Sequence, residues 1–209
     1  MTQLEADDGL DGPVCSRCGQ LLGYAVIDKL TGLLDRWGWD ERAEEALANA
    51  GDRASTLLLI DLDSFKKVND THGHLAGDAV LRAASAVLRD TIRSTDVAGR
   101  YGGHGGDEFL VLLPARDRQL GEMIARRIRA RIRRAIIPIT SAHGVPIVLS
   151  GLAASIGAAV TDPTTSRRLT LVELLRQADA ALLQAKNNGG DQIVVAGSPG
   201  HSHPTLTSC

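Results

Sequence analysis

The chain has 209 residues, 44% of them hydrophobic but only 3% aromatic, and a formal net charge of −2. That size and apolar content suit one domain whose core is built from Leu, Ile, Val and Ala, and the near-neutral charge argues against a nucleic-acid or membrane-surface protein. No apolar run reaches the roughly 20 residues of a spanning helix, the acidic start lacks the order of a signal peptide, and the three cysteines form no disulfide framework, so a reducing cytosol is the expected compartment.

Residues 1–27 read as a flexible lead, 28–196 as the folded domain and 197–209 as a disordered tail. The lead carries Cys15-Ser16-Arg17-Cys18-Gly19, the shape of half a zinc knuckle. A structural zinc site wants four ligands, and the other thiol is Cys209, beside His201 and His203 in the tail. A pair of ordinary thiols is the preferred reading over zinc. Apolar spacing near 3.6 predicts a helix over 28–50. The continuous run 56–60 is a buried strand that ends in Asp61-Leu62-Asp63. A helical turn over 64–70, a loop over 71–74 and a long helix over 76–93 follow. Gly102 to Gly106 form a reversal, with Asp107 and Glu108 opening the strand that Pro114 stops.

A helix over 118–136 carries an Ile stripe, and its six arginines from Arg126 to Arg134 read as a solvated face. Strands are predicted over 145–149 and 153–160, a helix over 171–186 stopped by Asn187-Asn188-Gly189-Gly190, and a last strand over 192–196. Helices and strands alternate, which gives the α+β or α/β class, an α+β sandwich with a central mixed sheet covered by helices.

The chemistry gathers at strand ends. Adjacent residues of a strand face opposite ways, so Asp107 and Glu108 cannot share one solvated face. If the strand ending in Asp61 neighbours theirs, the carboxylates converge, and magnesium is usually held by one or two carboxylates with water and phosphates. The alternative is that Asp61 and Asp63 merely cap the next helix, the better reading for Asp63 alone. Lys66 and Lys186 are either phosphate contacts or plain surface lysines. Asn69 with Asp78 could read a guanine, an amide at its acceptor edge and a carboxylate at its N–H donors.

The run from Asp61 to Asp78, followed by Val80-Leu81, resembles the core signature of GGDEF-domain diguanylate cyclases. Asp28-Lys29-Leu30-Thr31-Gly32-Leu33 with Arg36 is similar to that family's opening motif, Gly105-Gly106-Asp107-Glu108-Phe109 to its name motif, and Ser155-Ile156-Gly157 and Ala178 through Lys186 to its closing ones. Five ordered motifs over nearly the whole folded part make the resemblance specific.

The resemblance implies a βαββαβ core like the palm of polymerases and nucleotidyl cyclases. It implies two GTP-loaded domains meeting as a homodimer, each 3′-hydroxyl attacking the other α-phosphate, to give cyclic di-GMP, a bacterial second messenger, and two pyrophosphates. By position Asp61, the Leu62 carbonyl and Asp107 would hold Mg²⁺ (or Mn²⁺), two ions per half-site, with Glu108 assisting. Asp107 is also the candidate for deprotonating the hydroxyl. Lys66 and Lys186 would face phosphates, Asn69, His74 and Asp78 would line the guanine and ribose pocket, and Gly105 and Gly106 would let nucleotide approach the backbone. Arg93 and Asp96 occupy the place of an Arg-x-x-Asp product-inhibition site. No sensory domain is visible, so an unknown sensory or regulatory partner is expected to bring two copies together.

The sequence departs from the pattern in three ways. Asp107 arrives three residues late, with His104-Gly105-Gly106 inserted in the turn, and such extensions are tolerated when they bulge outward. Gly190 stands where a basic residue is expected. Leu183 and Asp35 replace the usual Tyr and Asn. A module that binds GTP or cyclic di-GMP without turnover is therefore the alternative reading, and His104 reads as an exposed loop residue.

Overall fold

The computed structural model describes residues 27–102, 106–141, 144–161 and 169–197. Cys15, Cys18, Cys209, His104 and Gly105 lie outside the described residues. Among the described residues five helices and seven strands follow in the order α1 (Arg36–Ala50), β1 (Thr56–Leu62), α2 (Phe65–His72), α3 (His74–Arg89), β2 (Val97–Arg100), β3 (Glu108–Leu113), α4 (Arg118–Arg134), β4 (Ile137–Thr140), β5 (Pro146–Leu149), β6 (Ala154–Val160), α5 (Leu171–Asn187) and β7 (Ile193–Val195).

The central sheet has the order β2-β3-β1-β6-β7. It is mixed, since β1 pairs antiparallel with β3 and β6, and β7 pairs parallel with β6. With β4 and β5 set aside, β1, α2 with α3, β2, β3, α4 and β6 follow the expected βαββαβ order, and α5 and β7 add a fifth strand. Strand β1 is buried along its whole length because helices cover both faces. Leu58, Ile60 and Leu62 pack with Val80, Ala84, Ile124 and Ile128 of α3 and α4. Leu57 and Leu59 pack on the other face with Trp39 and Ala43 of α1 and Leu174, Ala178 and Leu182 of α5.

Local chemistry sets the element ends. Helix α5 begins with a capping box, in which Thr170 Oγ1 accepts from the Glu173 backbone N–H and Glu173 accepts from the Thr170 N–H. The helix expected from residue 28 starts instead at Arg36, capped by Asp35, whose carboxylate accepts from Gly38 N at 2.9 Å. Asp28 makes the upstream residues a turn: it accepts from both the backbone N–H and the hydroxyl of Thr31, and Gly32 follows at φ 68°.

Residues 71–74 are not a loop. Helix α2 runs to His72 and α3 starts at His74, with Gly73 alone, at φ 88°, breaking the path. Helix α3 ends at Arg89, short of the expected 93. The helix expected to reach 136 stops at Arg134, and Ile137–Thr140 forms a strand with alternating burial. It pairs with β5 in a separate two-stranded ribbon, so the strand expected at 145–149 is not part of the central sheet.

Candidate active site

The C-terminal end of β1 lies at the meeting point of β3, β6 and the last turn of α5. Asp61 continues the Leu57, Leu59 side of β1, the face that α5 covers. Its register partners are Glu108 on β3 and Ser155 on β6. Lys186 Nζ donates to Asp61 Oδ2 at 2.6 Å, with the Asp61 side chain 9% exposed and that of Lys186 40%. Leu62 is bound to the start of the hairpin strand through its N–H, which donates to the Asp107 carbonyl at 3.4 Å.

Glycine makes this approach feasible. A Cβ on Gly157 would come within 2.0 Å of the Ala178 carbonyl oxygen and 2.3 Å of Leu182 N, so α5 lies directly on β6 only because position 157 has no side chain. That seating brings Lys186 over Asp61.

The electrostatics follow from the crowding of acids. Burial pushes the Asp61 carboxyl above its ordinary range; Lys186 opposes this, and the charges of Asp107 and Asp63 add to it. Burial also raises Glu108, followed by the neighbouring charge of Asp61, with Lys186 opposing and Asp107 and Asp179 adding. Among the described residues no three His, Cys, Asp or Glu side chains stand in an arrangement that could hold a metal ion. Magnesium does not require three, since one or two carboxylates with water and phosphate suffice. Asp61 and Glu108 face each other across neighbouring strands and an ammonium is already drawn onto Asp61, so this end of the sheet is one where positive charge is stabilised, and the donor set fits a hard divalent cation.

Asp63 does not cap α2, whose N-cap is Ser64 in a left-handed conformation with no side-chain cap. Instead Asp63 accepts from the Ser155 hydroxyl at 2.7 Å and from Asp191 N at 2.8 Å. Asp191 in turn receives Arg129 Nε at 2.8 Å and Arg133 from α4. The loop after α5, including Gly190, is thus fastened to the end of β1 on one side and to α4 on the other.

The remaining candidates lie on α2 and α3, the helices that follow β1, with no hydrogen bond or ion pair to the acids among the described residues. Lys66 is exposed in the first turn of α2, and His74 is exposed at the first position of α3. Asn69 lies against α3 so closely that a Cβ on Gly77 would meet its Oδ1 at 1.9 Å. That brings Asn69 beside the start of α3, where Asp78 is half-buried and 3.8 Å from Arg82. A cavity of about 510 Å³ opens between α1 and α5, with Glu108, Asp40, Arg176 and Asp179 among its lining residues. Asn69 and Asp78 do not line it, so it adjoins the acids without accounting for the guanine expectation.

Gly106 has φ 69°, and its carbonyl accepts from Arg100 Nε at 2.8 Å. The same guanidinium reaches Asp28 at 3.2 Å. Burial opposes charge on Asp28, but the two Thr31 hydrogen bonds and Arg100 outweigh it and hold the carboxyl below its ordinary value. Register on both sides of the turn is intact: Arg100 faces Phe109, and Tyr101 N donates to the Glu108 carbonyl. Arg93 and Asp96 close a turn on themselves, Arg93 N and Nε donating to the Asp96 carboxylate. The Asp96 side chain is fully buried and also 3.8 Å from Arg116, whereas Arg93 is half exposed.

Sequence reasoning did not find Arg100 or Asp191, and it misplaced the role of Asp63. Ser155 and Gly157 were visible only as members of a motif.

Comparison with known proteins supplies the family. A family model described as diguanylate cyclase, GGDEF domain, matches residues 25–192. The chain is 37% identical over 181 residues to the diguanylate cyclase DgcP of Pseudomonas aeruginosa, covering 82% of this chain and 24% of that protein. It is 36% identical over 178 residues to the response regulator PleD of Caulobacter vibrioides, covering 83% of this chain and 36% of that one. The chain therefore spans well under half the length of these two relatives. Among solved structures, the GGDEF domain of DgcB from Caulobacter crescentus in complex with c-di-GMP matches with a TM-score of 0.73 at 29% identity, covering 84% of this chain and 95% of that one. No described helix is long and apolar enough to cross a membrane.

Proposed function

The chain belongs to the GGDEF-domain diguanylate cyclase family, and on that premise we propose that it condenses two GTP into cyclic di-GMP and two pyrophosphates across a homodimer. The observation that carries the proposal is the seating of Lys186 on Asp61, directly opposite Glu108, at the C-terminal end of the sheet's buried central strand. In this reading Asp61, the Leu62 carbonyl and Asp107 hold Mg²⁺ or Mn²⁺, and Glu108 assists. The bound cation supplies charge neutralisation at the α-phosphate and a lowered pKa for the attacking hydroxyl.

The residues of the chain do the rest by positioning, which is most of the work in phosphoryl transfer. Lys66 and Lys186 take phosphate oxygens. Asn69 and Asp78 orient the base, and His74 closes on the ribose. Asp107 accepts the proton of the 3′-hydroxyl. Gly106 keeps the hairpin backbone open to the nucleotide, and Arg93, held by the buried carboxylate of Asp96, binds product. An unknown sensory or regulatory partner governs the encounter of two copies.

The test is incubation of the purified chain with GTP and Mg²⁺, with separation of products. Cyclic di-GMP is expected, and its synthesis falls by at least about a thousandfold when Asp107 and Glu108 are both replaced by Ala. A folded chain that binds GTP yet yields no cyclic di-GMP would overturn the proposal and leave a nucleotide receptor.

A further inference from the structure

We propose that Lys186 competes with the divalent cation for Asp61, serving as a removable counter-ion that keeps the metal site weak until nucleotide phosphates draw the lysine away. The proposal rests on the reading of this edge as a metal and triphosphate site.

The geometry of the pair is unequal. Asp61 is fixed on a buried strand with its side chain 9% exposed, while Lys186 rises from the last turn of α5 with its side chain 40% exposed. The carboxylate cannot leave, but the ammonium can, since four methylenes let it swing without moving the helix. Among the described residues, Lys186 is the one basic side chain that ion-pairs with any of Asp61, Asp107 and Glu108. Asp63 is already occupied by Ser155 and the Asp191 backbone.

An Asp61 oxygen 2.6 Å from an ammonium is poorly placed to serve a hard cation as well, because two positive charges held on one carboxylate repel strongly in a partly desolvated site. Whatever removes Lys186 then raises metal affinity, and by reciprocity a bound metal frees Lys186 for phosphate. Metal and nucleotide bind cooperatively with no domain movement. A lysine whose sole role is to touch phosphate would leave binding of the metal alone unchanged, and that difference decides the matter.

The experiment uses the full chain without nucleotide, titrated with Mn²⁺ and read from the electron paramagnetic resonance of the free ion. Lys186→Ala, with Lys186→Gln as a second variant that keeps the stem, should bind Mn²⁺ about fivefold tighter or more than wild type. Lys66→Ala, which deletes the same charge from α2, should change the affinity much less. The metal-free melting temperature should fall in the Lys186 variants, and added Mn²⁺ should restore more stability to them than to wild type. A non-hydrolysable GTP analogue should tighten Mn²⁺ binding in wild type and do so less in Lys186→Ala. If the Lys186 variants bind Mn²⁺ no tighter than wild type, or no tighter than Lys66→Ala, the competition is disproved. If the analogue does not bind at all, the proposed function fails, while the metal-alone comparison still decides the competition.

Discussion

A carboxylate placed as Glu108 is placed burdens the folded chain unless a cation answers it. Its raised pKa means that the folded state holds the proton more tightly than the unfolded chain does. Metal-free stability therefore falls as pH climbs past the ordinary value of 4.5 towards the folded one. In a chelating buffer at pH 7, Glu108→Gln should melt above wild type by roughly 0.5 kcal/mol, a degree or two, after allowing for solvent screening. The gap should close below about pH 4, where wild type is protonated in both states. A Gln variant that melts at or below wild type at neutral pH would refute this account.

Asp28 has the opposite sign. Its pKa is held down, so its contribution is present above the ordinary value and lost as pH falls through the folded one. At this scale Asp61, Asp107 and Glu108 stood out because they sit at strand ends that periodicity marks, whereas Lys66 and Lys186 stood apart from other surface lysines only through the family resemblance. Arg100 and Asp191 carried no such mark. Their partners are Asp28 and Gly106, or Arg129, Arg133 and Asp63, and those pairings depend on how distant segments fold together.

Elements hold the site through a few close approaches. Gly157 is the plainest, since a methyl there would overlap the α5 backbone. Gly157→Ala should cost about 1–3 kcal/mol in unfolding experiments and lower cyclic di-GMP synthesis, because Lys186 would rise with its helix. Arg100 joins the turn at Asp28 to the hairpin at Gly106. Arg100→Met should destabilise by about 1–3 kcal/mol and reduce turnover more than substrate affinity, which a kcat against KM comparison would read. The helices over α1, α3, α4 and α5 and the strands β1, β3 and β6 were legible from their apolar periods, to within a few residues at most ends. Strand β5 was legible too, but β4 and its pairing with β5 in a separate ribbon were not. Ile137–Thr140 directly follows α4 and alternates over four residues, too short a run to separate from a fraying helix. The break between α2 and α3 was legible but read as a four-residue loop rather than as Gly73 alone, because His72 and His74 favour neither state strongly.

For the whole molecule, the proposed reaction needs two copies, so its rate should depend on their encounter. Specific activity should rise with protein concentration in the dilute range, and fusion to a dimeric coiled coil should raise it at a fixed low concentration by increasing effective concentration. Activity independent of concentration across the range where the chain is monomeric by light scattering would exclude a homodimeric site.

The central place of β1 also has a consequence for how the chain is made. This early strand waits for β3 and β6, and the ion pair between Lys186 and Asp61 spans 125 residues of sequence. Contacts so distant are slow to close and form after local ones. On the ribosome, the acids of β1 emerge long before the helix that brings their counter-ion, and the strand must be sheltered meanwhile. A nascent chain arrested before α5 therefore should expose apolar sheet surface and hold chaperones, releasing them only once that helix is out.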